Sequence, residues 1–186
     1  MTDFTYSTAT EMMARLRAGE VTSSQLLAQH IARVEQRDGP INAVVVRTFE
    51  AARERAAQAD AARAHGEDWG LLHGLPMTVK ESFDLPGTPT CWGFPQYKDN
   101  IAQQPAVAVQ RLLNAGAVLF GKTNLPVALG DWQSFNPVYG TTHNPWDLSR
   151  TPGGSSGGAS AALAAPLRAS AASAVSLTRR RSPGPR

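Results

Sequence analysis

A chain of 186 residues with 42% hydrophobic and 18% charged side chains can bury one core, and its composition excludes a fully disordered or fibrous protein. The lone Cys91 excludes an internal disulfide framework and a cysteine metal cluster, and it points to a reducing compartment, with the cytoplasm as the expected location. The formal charge of +3 is a terminal effect: residues 166–186 carry five arginines and no acid, leaving thirteen basic against fifteen acidic groups in residues 1–165, so no specific nucleic-acid partner is expected.

The chain opens Met1-Thr2-Asp3-Phe4, without a basic and then apolar leader, and no run of about 18 apolar residues follows, so no membrane partner is expected either. Thr8-x-x-Glu11 is a capping box that predicts a short helix through Arg17, with Met12, Met13 and Leu16 to bury and Gly19 as its stop. Thr22-x-x-Gln25 repeats the pattern. It predicts a second helix with Leu27, Ile31 and Val34 on one stripe, ended by Asp38-Gly39-Pro40. Residues 41–47 read as a strand, and residues 49–65, dense in Ala, Arg and Glu, as a close-packing helix. From Leu71 the texture changes to short apolar runs broken by Gly and Pro, and the strand-like Leu75–Lys80 ends on a lysine. Residues 105–116 read as a helix with Val107, Val109, Leu112 and Leu113 toward a core, and Ala117–Gly121 as a buried strand. This order predicts an α/β fold with a partly parallel sheet flanked by helices.

The densest chemical signal is Thr151-Pro152-Gly153-Gly154-Ser155-Ser156-Gly157-Gly158-Ala159-Ser160. It sets paired hydroxyls between glycine pairs, directly ahead of an alanine-rich stretch that can start a helix. A flexible linker has the same composition but usually runs longer and joins two domains. His73 and His143 lack ligand spacing, and neither a metal motif nor a phosphate or dinucleotide fingerprint is present, so no cofactor is expected.

Three segments in order, Gly74-Leu75-Pro76-Met77-Thr78-Val79-Lys80-Glu81, Gly116–Asn124 and Asn144-Pro145-Trp146-Asp147 with Pro152–Gly158, closely resemble the amidase-signature enzymes over about residues 7–165. The resemblance implies the N-terminal part of that α/β fold, with a mixed, largely parallel central sheet flanked by helices. It also implies hydrolysis of a small-molecule carboxylic amide to acid and ammonia by a Ser–cis-Ser–Lys triad. A serine hydroxyl attacks an amide only when a base takes its proton, and a lysine serves only when neutral. By resemblance Lys80 is that base. Ser155 is the bridging serine, preceded by a cis peptide, while Gly153, Gly154 and Ser156 support the loop or the substrate. Ser156 reads equally well as a plain loop hydroxyl. Lys122 resembles the family's second lysine, in a structural or substrate-adjacent role, with an exposed ion pair as the alternative. Asn124, Trp132, Phe135 and Asn136 are candidates for an acyl pocket, although aromatic residues here also suit a core.

The resemblance stops at the nucleophile. The family places it some two dozen residues beyond the bridging serine in an Asp-x-Gly-Gly-Ser segment, where this chain has Arg179, so no nucleophile is identified. Residues 166–186 contain only Pro, Leu, Arg, Ala, Ser, Val, Thr and Gly, the alphabet of a GC-rich gene read out of frame. They are therefore expected to form a disordered, out-of-family tail that follows an amidase-signature portion spanning 1–165. A sheet built from that portion alone is expected to leave an unfinished edge and to favour aggregation. The chain is then expected to be an inactive N-terminal fragment of an amidase whose intact form is compatible with a homodimer. The alternatives are an amidotransferase A-type subunit that serves misacylated tRNA, and a noncatalytic remnant that binds an anion.

Overall fold

Both capping boxes close in the computed structural model, which describes Phe4 and residues 6–165; the expected disordered tail at 166–186 lies outside the described residues. Thr8 and Glu11 exchange hydrogen bonds at the start of helix α1 (Ala9–Arg17), and Thr22 and Gln25 do the same for α2 (Ser23–Arg37). Gly19, at φ +70°, takes the left-handed conformation that stops α1, which L side chains adopt only at a cost.

Strand β1 covers Val44–Arg47, shorter than the expected 41–47. The reason is Asp38. Its buried carboxylate accepts the N–H groups of Ala43 (2.8 Å) and Val44 (3.0 Å), while Asn42 sits at φ +57°, so residues 41–43 form a turn that leads into the sheet. Burial raises the Asp38 pKa against the lowering effect of those N–H groups and of Arg47. Helix α3 (Phe49–Ala64) packs through Ala52, Ala56, Ala59 and Ala62, whose small side chains permit close approach. Strand β2 is Pro76–Lys80, helix α4 Val107–Asn114 and strand β3 Val118–Thr123. In α4 only Val109 is buried outright; Val107 is 69% exposed, contrary to the expected core role, because it opens the helix on its outer side.

The sheet runs β1-β3-β2, with β3 antiparallel to β1 and parallel to β2, so it is mixed and flanked by helices. Alternation along β3 separates two cores. Val118 and Phe120 join Leu27, Ile31 and Val34 of α2 on one side, and Leu119 joins Met77, Val79 and the α1 residues Met12, Met13 and Leu16 on the other. The β2–β3 register slips between Met77 and Thr78, which sets Lys80 opposite Thr123 at the carboxyl ends of both strands. A short hairpin of β4 (Phe135–Asn136) and β5 (Gly140–Thr141) follows, and α5 (Gly157–Ala164) lies against all three strands of the main sheet.

Candidate active site

The carboxyl ends of parallel strands are where open α/β sheets commonly hold ligands, and here the parallel pair delivers Lys80 and Lys122. Lys80 is 6% exposed, and burial alone lowers its pKa to about 8. Its Nζ donates to Ser155 Oγ at 2.8 Å and to Ser156 Oγ at 3.2 Å. The structure therefore brings together Lys80, Ser155 and Ser156, although the serines stand 75 and 76 positions beyond the lysine in sequence.

The peptide between Gly154 and Ser155 is cis. Gly154 passes so near the 132–134 backbone that a methyl group on it would lie 2.6 Å from Gln133 O, and Gly153 adopts φ +84°. Two N–H groups of this loop have partners within the chain: Gly153 donates to Thr151 Oγ1 at 3.1 Å and Gly157 to Ser134 Oγ at 2.8 Å. Helix α5 begins beneath the loop, and Gly158 sits where a methyl group would be 2.5 Å from Asn124 N and 2.7 Å from Asn124 O.

Lys122 is fully buried, which rules out the exposed ion pair. Its ammonium donates to Pro89 O and, at 2.8 Å, to Thr90 Oγ1. Burial lowers its pKa to about 8 even though Glu81 and Asp84 favour its charge. Glu81, also fully buried, accepts from the N–H groups of Cys91 (2.7 Å) and Trp92 (3.1 Å) and from Tyr139 Oη at 3.2 Å. Burial lifts the Cys91 thiol and the Tyr139 phenol above their ordinary pKa values, with Glu81 adding to both. A cation from β3 and an anion just after β2 thus grip neighbouring parts of the 89–92 segment. Trp92 then reaches forward, its carbonyl accepting from Ala128 N at 2.9 Å.

The acyl-pocket candidates divide. Asn124 and Asn136 are buried and bonded to each other at 2.8 Å, with further bonds to Gly140 O and Leu125 O, so they fasten the hairpin rather than line a pocket. Trp132 and Phe135 are 87% and 45% exposed, contrary to the core reading. Trp132 joins Leu129, Gly130, Asp131 and Ser155 around an open cleft of about 340 Å³. His73 is structural: Trp69 N–H donates to its Nδ1 at 2.9 Å, and its Nε2 lies 2.8 Å from Ala59 O. Sequence reasoning missed Glu81, Tyr139 and Ser134. For the lysines a composition signal was available: the chain has three, Lys80, Lys98 and Lys122, against fifteen arginines, and two of those three are buried.

This arrangement can move a proton, since Lys80 Nζ and Ser155 Oγ are within one hydrogen bond and burial brings the amine down to about 8, well below the ordinary lysine value. Among the described residues no helix is long and apolar enough to cross a membrane, and no three His, Cys, Asp or Glu side chains are placed to hold a metal ion.

An indoleacetamide hydrolase of Bradyrhizobium diazoefficiens is 41% identical over 157 residues, covering 84% of this chain and 30% of the relative. The A-type subunit of a glutamyl-tRNA(Gln) amidotransferase from Moorella thermoacetica is 42% identical over 160 residues, covering 86% and 33%. A bacterial aryl acylamidase of the amidase-signature enzymes superposes with a TM-score of 0.84 at 30% identity, covering 88% of this chain and 34% of that one. The chain spans about a third of the length of the curated relatives it matches. The profile of the Amidase family matches residues 25–173, and with the sheet, the cis Gly154–Ser155 peptide and the Lys80–Ser155 contact in place, the chain belongs to that family, the amidase-signature enzymes.

Proposed function

We propose that this chain carries the lysine and relay-serine part of an amidase acting on small carboxylic amides. The observation that carries the reading is the 2.8 Å contact between a buried Lys80 amine and Ser155 Oγ. Neutral Lys80 withdraws the Ser155 proton, and Ser155 withdraws the proton of a nucleophilic serine as that oxygen attacks the amide carbonyl. On collapse the proton returns through the same pair to the leaving nitrogen, which departs as ammonia, and water then releases the acid from the acyl-enzyme. Gly153, Gly154 and Ser156 hold the loop in which Ser155 sits. The cleft beside Trp132 receives the substrate.

The 186 residues contain no Asp-x-Gly-Gly-Ser segment, so the chain by itself is expected to release no ammonia. Two experiments test this. The chain alone, given simple amides, should show no turnover, and robust turnover abolished by Lys80→Ala would refute the fragment reading. A chimera in which residues 1–165 replace the matching part of the indoleacetamide hydrolase should release ammonia, and Lys80→Ala or Ser155→Ala should each reduce kcat by about a thousandfold or more. A folded chimera indifferent to both substitutions would overturn the relay.

A second reading, an amidotransferase A-type subunit, has support of its own in the 42% identity to one of that type. The segments Val79–Phe83 and Asp131–Asn136 resemble stand-alone amidases more closely. Copurification of the chain with further subunits would favour the second reading. Anion binding has the weaker claim, because two of the loop's N–H groups are bonded within the chain.

A further inference from the structure

Trp92 sits at φ +54°, in the left-handed region that a bulky side chain enters only at a cost. Its neighbours hold it there. Its N–H donates to Glu81 Oε2 at 3.1 Å, its carbonyl accepts from Ala128 N at 2.9 Å, and Gly93 follows at φ +76°. The bracing leaves the indole 43% exposed at an open cleft of about 390 Å³, which Asp84, Thr90, Phe94, Tyr97 and Asn100 also line. This cleft shares no lining residue with the one beside Trp132.

Charge and ring faces define what fits. Asp84 is half-buried, and its carboxylate makes no hydrogen bond or ion pair among the described residues. The Lys122 ammonium lies near enough to feel that charge but gives its hydrogen bonds to Pro89 O and Thr90 Oγ1. Glu81, Asp84 and Lys122 together set two negative charges against one positive, which leaves the cleft attractive to a cation. Trp92, Phe94 and Tyr97 supply three aromatic rings, the last two packed edge to face with centroids 5.9 Å apart, and a ring face attracts a cation without a hydrogen bond. The backbone carbonyls of Thr90, Cys91 and Phe94 are already taken by Asn100 Nδ2, Phe94 N and Tyr97 N. A primary ammonium, with three donors to satisfy, would therefore meet few free acceptors, whereas an alkylated one needs none. We infer that this cleft binds a small alkylated ammonium ion, with Trp92 and Tyr97 against its alkyl groups and Asp84 supplying the opposite charge.

The test uses the 186-residue chain with isotopically labelled tryptophan, whose four indole N–H signals report each ring separately. The Trp92 signal is identified by its absence in Trp92→Gly, a change that suits the left-handed backbone. Choline should shift that signal saturably, and ethanolamine, its primary analogue, should bind about fivefold more weakly. The uncharged isostere 3,3-dimethyl-1-butanol should give no saturable shift. Asp84→Asn should weaken choline binding about fivefold, and Tyr97→Leu about threefold. Trp132 and Trp146, 87% and 85% exposed, serve as internal controls whose signals should stay in place. No shift with choline, equal shifts of all three exposed indoles, or equal binding of the uncharged isostere would each overturn the inference, as would ethanolamine binding as tightly as choline. Choline binding unchanged in a folded Asp84→Asn would also overturn it. If that variant does not fold, Tyr97→Leu, at a position 53% exposed, carries the comparison, and unchanged binding there has the same force.

Discussion

Lys80 and Lys122 lie one position apart in the parallel register, Lys122 standing opposite Val79, yet their surroundings give them different tasks. Lys122 spends its ammonium on Pro89 and Thr90 in the interior, whereas Lys80 meets two hydroxyls at the edge of a cleft. The residue scale also shows how sharply backbone approach selects glycine. Gly158→Ala should destabilise the fold by about 1–3 kcal/mol, because its methyl would press on the Asn124 and Ala43 backbones and lift α5 from the sheet. Gly39→Ala, with nothing within 4 Å of the added methyl, should stay within about 0.5 kcal/mol. Urea unfolding of the two variants makes the comparison, and equal losses would contradict the packing described for α5. Ser155 and Lys80 were legible in the sequence because each lies in a motif dense enough to resemble a family. Glu81, Tyr139 and Ser134 were not, because their value lies in partners between 10 and 58 positions away that no local pattern encodes.

At the scale of the element, the helices that announce themselves are those whose signals are local. Thr8 with Glu11 and Thr22 with Gln25 are complete within four residues, so α1 and α2 could be read directly, while the turn ahead of β1 depends on Asp38 reaching the N–H groups of Ala43 and Val44. Asp38→Ala should therefore cost about 1–3 kcal/mol, since it leaves two buried donors without their acceptor. Thr22→Ala should cost about 1 kcal/mol, the ordinary loss of a cap. Thermal unfolding distinguishes them. An Asp38→Ala loss no greater than that of Thr22→Ala would mean the turn does not depend on the carboxylate. Helix α5 shows the limit of local reading: its own N-cap serine faces elsewhere, and its first N–H is satisfied from the 131–136 segment.

For the whole molecule, two buried amines leave a signature in stability against pH. Lys80 and Lys122 have folded pKa values lowered from 10.5 to about 8, so above pH 8 the unfolded chain binds more protons than the folded one and stability rises with pH. The rise should be clearest between pH 8 and 9. Beyond that Cys91 and Tyr139, whose folded pKa values are raised above 9.0 and 10.0, act in the opposite direction. Urea midpoints across this interval should climb, and the climb should shrink in Lys80→Met; a flat or falling profile would contradict the burial of both amines. The mixed sheet was legible as an α/β order of elements. Its register slip, which decides where Lys80 ends, was not, because it leaves Phe120 of β3 without a partner on β2, and no local pattern in either strand marks that residue.

With three lysines in the chain, the burial of Lys80 beside Ser155 is directly measurable. Isotopic labelling of lysine should give three resolved ammonium environments, with the Lys80 signal identified by its absence in Lys80→Met. The expected result is a midpoint for Lys80 near 8, and a midpoint at the ordinary lysine value of 10.5 would contradict the proposed relay at its base.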